Sequence, residues 1–158
     1  MIQCHNNTNY WVKVKDAHNL SNGLHVVVNY DDKYQSIGEA SGFLARVCGL
    51  LVINHILFPI SFERWFAMLD TYKDNVWESA LKINKDLAKR GVMFKIGKLW
   101  REYRCKLWNE FYDPLMSRNK LIKNCPENVS MDQWVVSIDY GLKPSIMKIE
   151  TGRSIGRA

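Results

Sequence analysis

The carboxylates are the first residues to weigh for chemistry. Cleaving a phosphodiester with two divalent ions needs Asp and Glu gathered in one cleft, where the ions clamp the attacking and leaving oxygens. The candidates are Asp31, Asp32, Asp70, Glu78 and Asp139. Only Asp31 and Asp32 follow an apolar, strand-like run, at residues 26–28. The others have ready surface or capping roles, so no metal-dependent cleavage is expected. A zinc site needs thiols and imidazoles at short spacing. Cys4-His5 is the sole adjacent pair; Cys48, Cys105, Cys125, His18, His25 and His55 are scattered. No nucleophile elbow and no phosphate-cradling glycine loop is present, and residues 152–156 are too irregular to serve as one. The expectation is a non-catalytic chain with no metal and no cofactor, its thiols reduced.

What remains is cationic. Residues 1–72 hold five basic and six acidic residues, residues 73–123 hold 13 and six, and residues 124–158 hold four and four. The chain's net charge of +6 therefore originates in one third of its length. Such concentration fits a polyanionic partner, the bland alternative being a solvated helix surface. Lys95, Lys98, Arg101, Arg104 and Lys106 are the candidate phosphate contacts to duplex DNA.

The elements that must position these residues follow from apolar spacing. At residues 11–15 and 25–30 the pattern is strand-like, with a turn signal at Asn22-Gly23. Two such strands, or an extended arm, would precede a helical body. Residues 40–51 read as a helix, and Ser61 as the N-cap of a second over residues 62–69, with Trp65, Phe66 and Leu69 inward. A third is expected over residues 74–89, closed by Lys89-Arg90-Gly91. The clearest helix spans residues 92–112: Val92, Ile96, Leu99/Trp100, Tyr103, Leu107 and Phe111 fall on one stripe. Lys95, Lys98, Arg101 and Lys106 lie on its other side, and Arg104 lies at the border. Asp113-Pro114 stops it. A last helix over residues 131–140 follows Ser130, with Trp134 and Ile138 inward.

Large aromatics at inward positions build the cores of small helical DNA-binding domains. Trp65, Trp77, Trp100, Tyr103, Leu107 and Trp134 are the expected core. Trp108 sits about 100° from the centre of the stripe and is a candidate partner-facing aromatic, with Tyr112 beside it.

Several short motifs occur in order. They are Ile60-Ser61-Phe62-Glu63-Arg64-Trp65, then Lys73-Asp74-Asn75-Val76-Trp77-Glu78, then Ile96-Gly97-Lys98-Leu99-Trp100-Arg101-Glu102-Tyr103-Arg104-Cys105-Lys106-Leu107, then Phe111-Tyr112-Asp113-Pro114, then Pro126 to Trp134. Upstream stand Tyr34 to Gly38 and Phe43 to Arg46. Over residues 27–140 this order resembles the plant transposase family associated with Ptta/En/Spm (CACTA-type) transposons. The resemblance implies a transposon-derived, nuclear protein, and it carries no catalytic residues to this chain. Where the family continues with a second tryptophan, Gly141 stands here. Lys143-Pro144-Ser145 cuts the helix, and the family's Asn/Arg-rich run is missing. The copy is thus expected to be C-terminally truncated or degenerate.

The expected fold is mainly α: a small bundle of four or five helices with an extended or two-stranded N-terminal arm. Residues 1–24 would form the arm, 25–141 the helical domain and 142–158 a flexible tail. Within the most apolar run, residues 43–60, the longest uncharged stretch is residues 47–60, 14 residues. That is shorter than the roughly 20 a bilayer needs, so no membrane partner is expected. The expected function is non-catalytic DNA binding or an accessory role through the basic face, in the nucleus or otherwise the cytoplasm. The alternatives are a protein-interaction or self-associating module, and an inactive remnant of a transposon protein.

Overall fold

A computed structural model describes residues 2–3, 9–10, 28–33, 35–81 and 86–147. The fold is mainly α, a small helical bundle with short strand pairs at its N-terminal side. Strand β1 (Ile2–Gln3) pairs antiparallel with β2 (Asn9–Tyr10), and β3 (Asn29–Tyr30) with β4 (Ser36–Ile37). The predicted strand at residues 11–15, its turn at Asn22-Gly23 and residues 25–27 lie outside the described residues. β3 takes up the end of the second predicted strand. The β3–β4 turn is closed by Asp31, whose carboxylate accepts from the backbone N–H groups of Lys33 and Gln35 at 2.9 and 2.8 Å. This side-chain-to-backbone closure is what makes Asp a turn residue.

Helix α1 (Glu39–Val52) starts after Gly38, whose φ of 76° lies in the left-handed region that glycine adopts without steric cost. Its Leu44, Val47, Cys48, Leu51 and Val52 are buried and pack along the long helix α3. Between α1 and α3 the chain departs from expectation. Instead of a helix over residues 62–69, only a 3-10 turn forms at Trp65–Ala67. Trp65 is buried, whereas Phe66 and Leu69 are 86% and 60% exposed. Of the three residues expected inward, Trp65 alone reaches the core: it packs between Phe58 and Trp100, with centroids 5.6 and 5.8 Å away.

Helix α2 (Asp70–Asn75) continues directly into a π-helical turn, Val76–Leu81. There the Ser79 hydroxyl bonds back to the Asn75 carbonyl, a local competitor for backbone bonds of the kind that distorts helices. The turn still buries Val76, Trp77 and Leu81. Helix α3 runs without interruption from Asp86 to Phe111. The predicted stop at Lys89-Arg90-Gly91 does not occur, because Ala88, Val92 and Met93 are buried on either side of the glycine and packing carries the helix through. As expected, α3 ends just before Asp113-Pro114.

Two hydrophobic clusters share α3. The first gathers α1, Phe58, Trp65, Met68, the π turn and the α3 residues Ala88, Val92, Met93, Ile96 and Trp100. The second joins Ile60, Leu107, Leu121, Val129, Trp134 and Ile138. Tyr103 packs against both and links them. The second cluster holds an element the sequence pattern does not announce, α4 (Arg118–Lys123). The Ser117 side chain caps it, accepting from the Lys120 N–H at 3.4 Å. It buries only Leu121, too little for a periodic signature.

Helix α5 (Met131–Gly141) packs on α4 with Trp134 and Ile138 inward. The Trp134 indole N–H donates to the Leu121 carbonyl at 3.0 Å, and Arg118 grips Asp139 through two bonds of 2.6 and 2.8 Å. From α5, the Gln133 amide accepts from the Ile60 N–H at 2.9 Å and donates to the His55 carbonyl at 3.0 Å. Residues 144–147 add a helical turn, and the Tyr112 hydroxyl contacts the Met147 sulfur at 3.9 Å. The rest of the predicted tail, residues 148–158, lies outside the described residues.

Candidate nucleic-acid interface

Helix α3 positions the candidate cations, because its buried stripe fixes which side faces out. Ile96, Trp100 and Leu107 are buried. The opposite side carries Arg90, Phe94, Lys98, Arg101, Glu102, Cys105 and Asn109, all exposed, with Lys106 exposed at its flank. Lys98 stands 3.9 Å from Glu102, a loose pair one turn on. Exposed i,i+4 pairs of this kind contribute only a few tenths of a kcal/mol, so Lys98 stays free to exchange its partner. Among the described residues, Arg90, Arg101 and Lys106 make no ion pair.

Two of the five predicted phosphate contacts are engaged inside the molecule. Lys95 is half-buried, and its ammonium donates to the Ser36 hydroxyl at 3.0 Å. Ser36 in turn meets Ser41 at 2.8 Å, so this lysine bridges α3 to β4 and the first turn of α1. Arg104 is a clearer correction. Its guanidinium lies 4.6 Å from the centre of the Trp100 ring and 5.6 Å from that of Tyr140, and it donates to the Glu63 carbonyl at 3.1 Å. Burial lowers the Arg104 pKa below the ordinary guanidinium value. Its place at the border of the apolar stripe put it under the chain segment that carries Glu63. The sequence had no means of showing that this segment crosses α3. Lys98, Arg101 and Lys106 remain outward, and Arg90 joins them. Sequence reading had assigned Arg90 to a helix end; an unbroken α3 was the missing signal.

The core predictions stand where the sequence put them. Trp65, Trp77, Trp100, Leu107 and Trp134 are buried, and Tyr103 is partly buried between the two clusters. Trp108, the candidate partner-facing aromatic, is partly buried and engaged within the molecule. It stacks on Tyr112 at 4.4 Å with the rings 13° apart, and its far edge lies on Gly141, where a Cβ would come within 2.3 Å of Cζ3. Gly141 is thus the seat of Trp108.

The carboxylates are dispersed. Asp31 closes its turn, Asp70 pairs with Lys73 at 3.2 Å, and Asp74 pairs with Lys89 at 2.6 Å. Asp139 is held by Arg118, whose paired hydrogen bonds lower its pKa. Among the described residues, no three His, Cys, Asp or Glu side chains gather as a metal site would require. Cys48, Cys105 and Cys125 are free thiols. Burial pushes the Cys48 thiol up to about 11, whereas Cys105 is exposed on the cationic side of α3. No described helix is long and apolar enough to cross a membrane.

Comparison of the chain with protein-family models, with curated proteins and with solved structures gives no match.

Proposed function

We propose that the chain is a non-catalytic nucleic-acid-binding or accessory protein whose outward α3 face contacts phosphates. In keeping with its resemblance to plant transposase proteins, it would be transposon-derived and would act in the nucleus on DNA. The single observation carrying the proposal is the row Arg90, Lys98, Arg101 and Lys106. Arg90, Lys98 and Arg101 lie within about 80° on one side of a continuous helix, Lys106 flanks them about 80° beyond Lys98, and three of the four have no ion pair among the described residues. Cations left unpaired on a rigid element attract a polyanion and release its counterions on binding.

Titration of the protein with a fluorescent 20-base-pair duplex at increasing salt tests the proposal. Four phosphate contacts predict a slope of log K against log salt near −3.6, at about −0.9 per contact. Lys98→Ala/Arg101→Ala lowers the magnitude of that slope by about two contacts' worth. A slope indistinguishable from zero in the wild type rules out phosphate contact.

A second reading, self-association, draws on a different surface. Leu50, Ile53 and Ile56 are exposed within one stretch at the end of α1, Ile56 at 72%. Exposed apolar groups that close in sequence can mark an interface. Light scattering across a hundredfold range of concentration separates the two, since a constant mass removes self-association.

A further inference from the structure

Phe94 is 70% exposed in the middle of the cationic row. Scattered exposed apolar side chains are ordinary on soluble proteins; the placement of this one is not. Arg90 and Lys98 stand one turn below and one turn above it, and Arg101 stands two turns above, at nearly the same angle on the helix. The phenyl ring is thus bordered along α3 by three cations at rises of about 6, 6 and 10 Å. No ring stacks on Phe94 and no cation of the protein covers it among the described residues. The other rings near α3 are spent inside: Trp65 on Trp100, and Trp108 on Tyr112.

We infer that this face takes unpaired nucleic acid in preference to duplex, with Phe94 as a stacking platform for one base while Arg90, Lys98 and Arg101 follow the adjoining phosphates. The inference rests on the phosphate-contact function proposed above and adds the state of the strand. A duplex offers a helix lying on its backbone only phosphates, its base faces being closed by their neighbours. An unpaired strand offers phosphates and open π-faces together, and every base has such a face, so no sequence preference is needed. A cation row without an aromatic would suit either form equally.

The test compares a labelled 12-nucleotide oligo-dT with a 12-base-pair duplex of mixed sequence by fluorescence anisotropy at fixed salt. Wild type is expected to favour the single strand. Phe94→Ala should weaken oligo-dT binding by about 5- to 150-fold and change duplex binding less than twofold. Phe94→Trp should restore it. Phe94 is exposed, so its removal leaves the fold intact, and thermal melting of each variant checks this. Equal affinity of wild type for both probes, or an equal loss on both with Phe94→Ala, overturns the inference. The phosphate-contact function then still stands if Lys98→Ala/Arg101→Ala weakens both probes. Absence of any effect from that double variant overturns the function itself.

Discussion

The indole of Trp65 occupies the space that a side chain at position 97 would need: a Cβ there would lie 2.8 Å from Nε1 and 2.9 Å from Cδ1. Gly97 is in mid-helix, where alanine would ordinarily be favoured by about 0.5–1 kcal/mol. Here the indole cannot retreat, since Phe58 and Trp100 flank it. Overpacking costs about 1–3 kcal/mol and outweighs the helical gain. Gly97→Ala is therefore expected to lower stability in urea by about 1–2 kcal/mol. Gly42→Ala and Gly49→Ala, in α1 with nothing within 4 Å of the added carbon, should raise it slightly. A stabilised Gly97→Ala would contradict the packing described.

Arg104 is expected to behave as a structural residue despite its charge. Its guanidinium plane lies over Trp100, and Arg104→Lys replaces that plane with a point charge. A loss of about 1–2 kcal/mol is expected from the partly desolvated cation–π contact. The salt slope of nucleic-acid binding should stay that of wild type. A reduced slope would return Arg104 to the phosphate-contacting set.

Alkaline pH should destabilise the fold through Cys48. Burial raises its thiol to about 11, while an unfolded thiol titrates near 9. The folded state then holds a proton that the unfolded state has lost, so the contribution is full below pH 9 and disappears as pH rises through 11. Urea midpoints measured between pH 8 and 11 should fall. In Cys48→Ala the fall should be shallower, although the cavity makes that variant less stable throughout. In native buffer at pH 8, iodoacetamide should label exposed Cys105 well before Cys48. Equal labelling rates for the two would show that α1 opens readily from α3.

At the acid end, the Asp139 carboxyl is held below its usual value by Arg118, so its contribution is present above about pH 4 and is lost as pH falls through the lowered value. Glu63, lowered chiefly by its bond with Lys143, acts in the same sense. Both pairs are exposed, and the effects should be small and weakened by salt. Melting temperatures of Asp139→Asn between pH 5 and 2.5 should decline less steeply than those of wild type. A parallel decline would mean that the pair with Arg118 adds nothing in solution.

How far the sequence showed this arrangement depends on how local each signal is. The stripe Ile96, Trp100, Tyr103, Leu107 is legible because a long helix repeats its core contacts every three or four residues. Trp134 and Ile138 are legible for the same reason. The segment around Trp65 carries a similar spacing, yet of the three residues expected inward only Trp65 is buried, with Met68 the other buried residue there. Which residue of a short segment reaches the core is decided by its crossing of α3 at Gly97, a contact more than 30 residues away in sequence. Helix α4 buries only Leu121, so there was no period to detect. Within the candidate interface, Lys98, Arg101 and Lys106 were legible from the helical wheel alone. Lys95 and Arg104 were not, because the groups that engage them, Ser36 and the Glu63 carbonyl, come from elsewhere in the chain.

The sharing of α3 between two hydrophobic clusters gives the protein a ruler. Anchored at Val92 and again at Leu107, the helix holds Arg90 and Lys106 about 24 Å apart along its axis, sixteen steps of about 1.5 Å. A strand with B-form spacing passes about seven nucleotides over that distance. Under the proposed function, oligonucleotides shorter than this would leave one end of the helix vacant, and longer ones would gain no further contact from it. Under that function, the footprint of a bound strand would be set by the length of one helix between its two anchors.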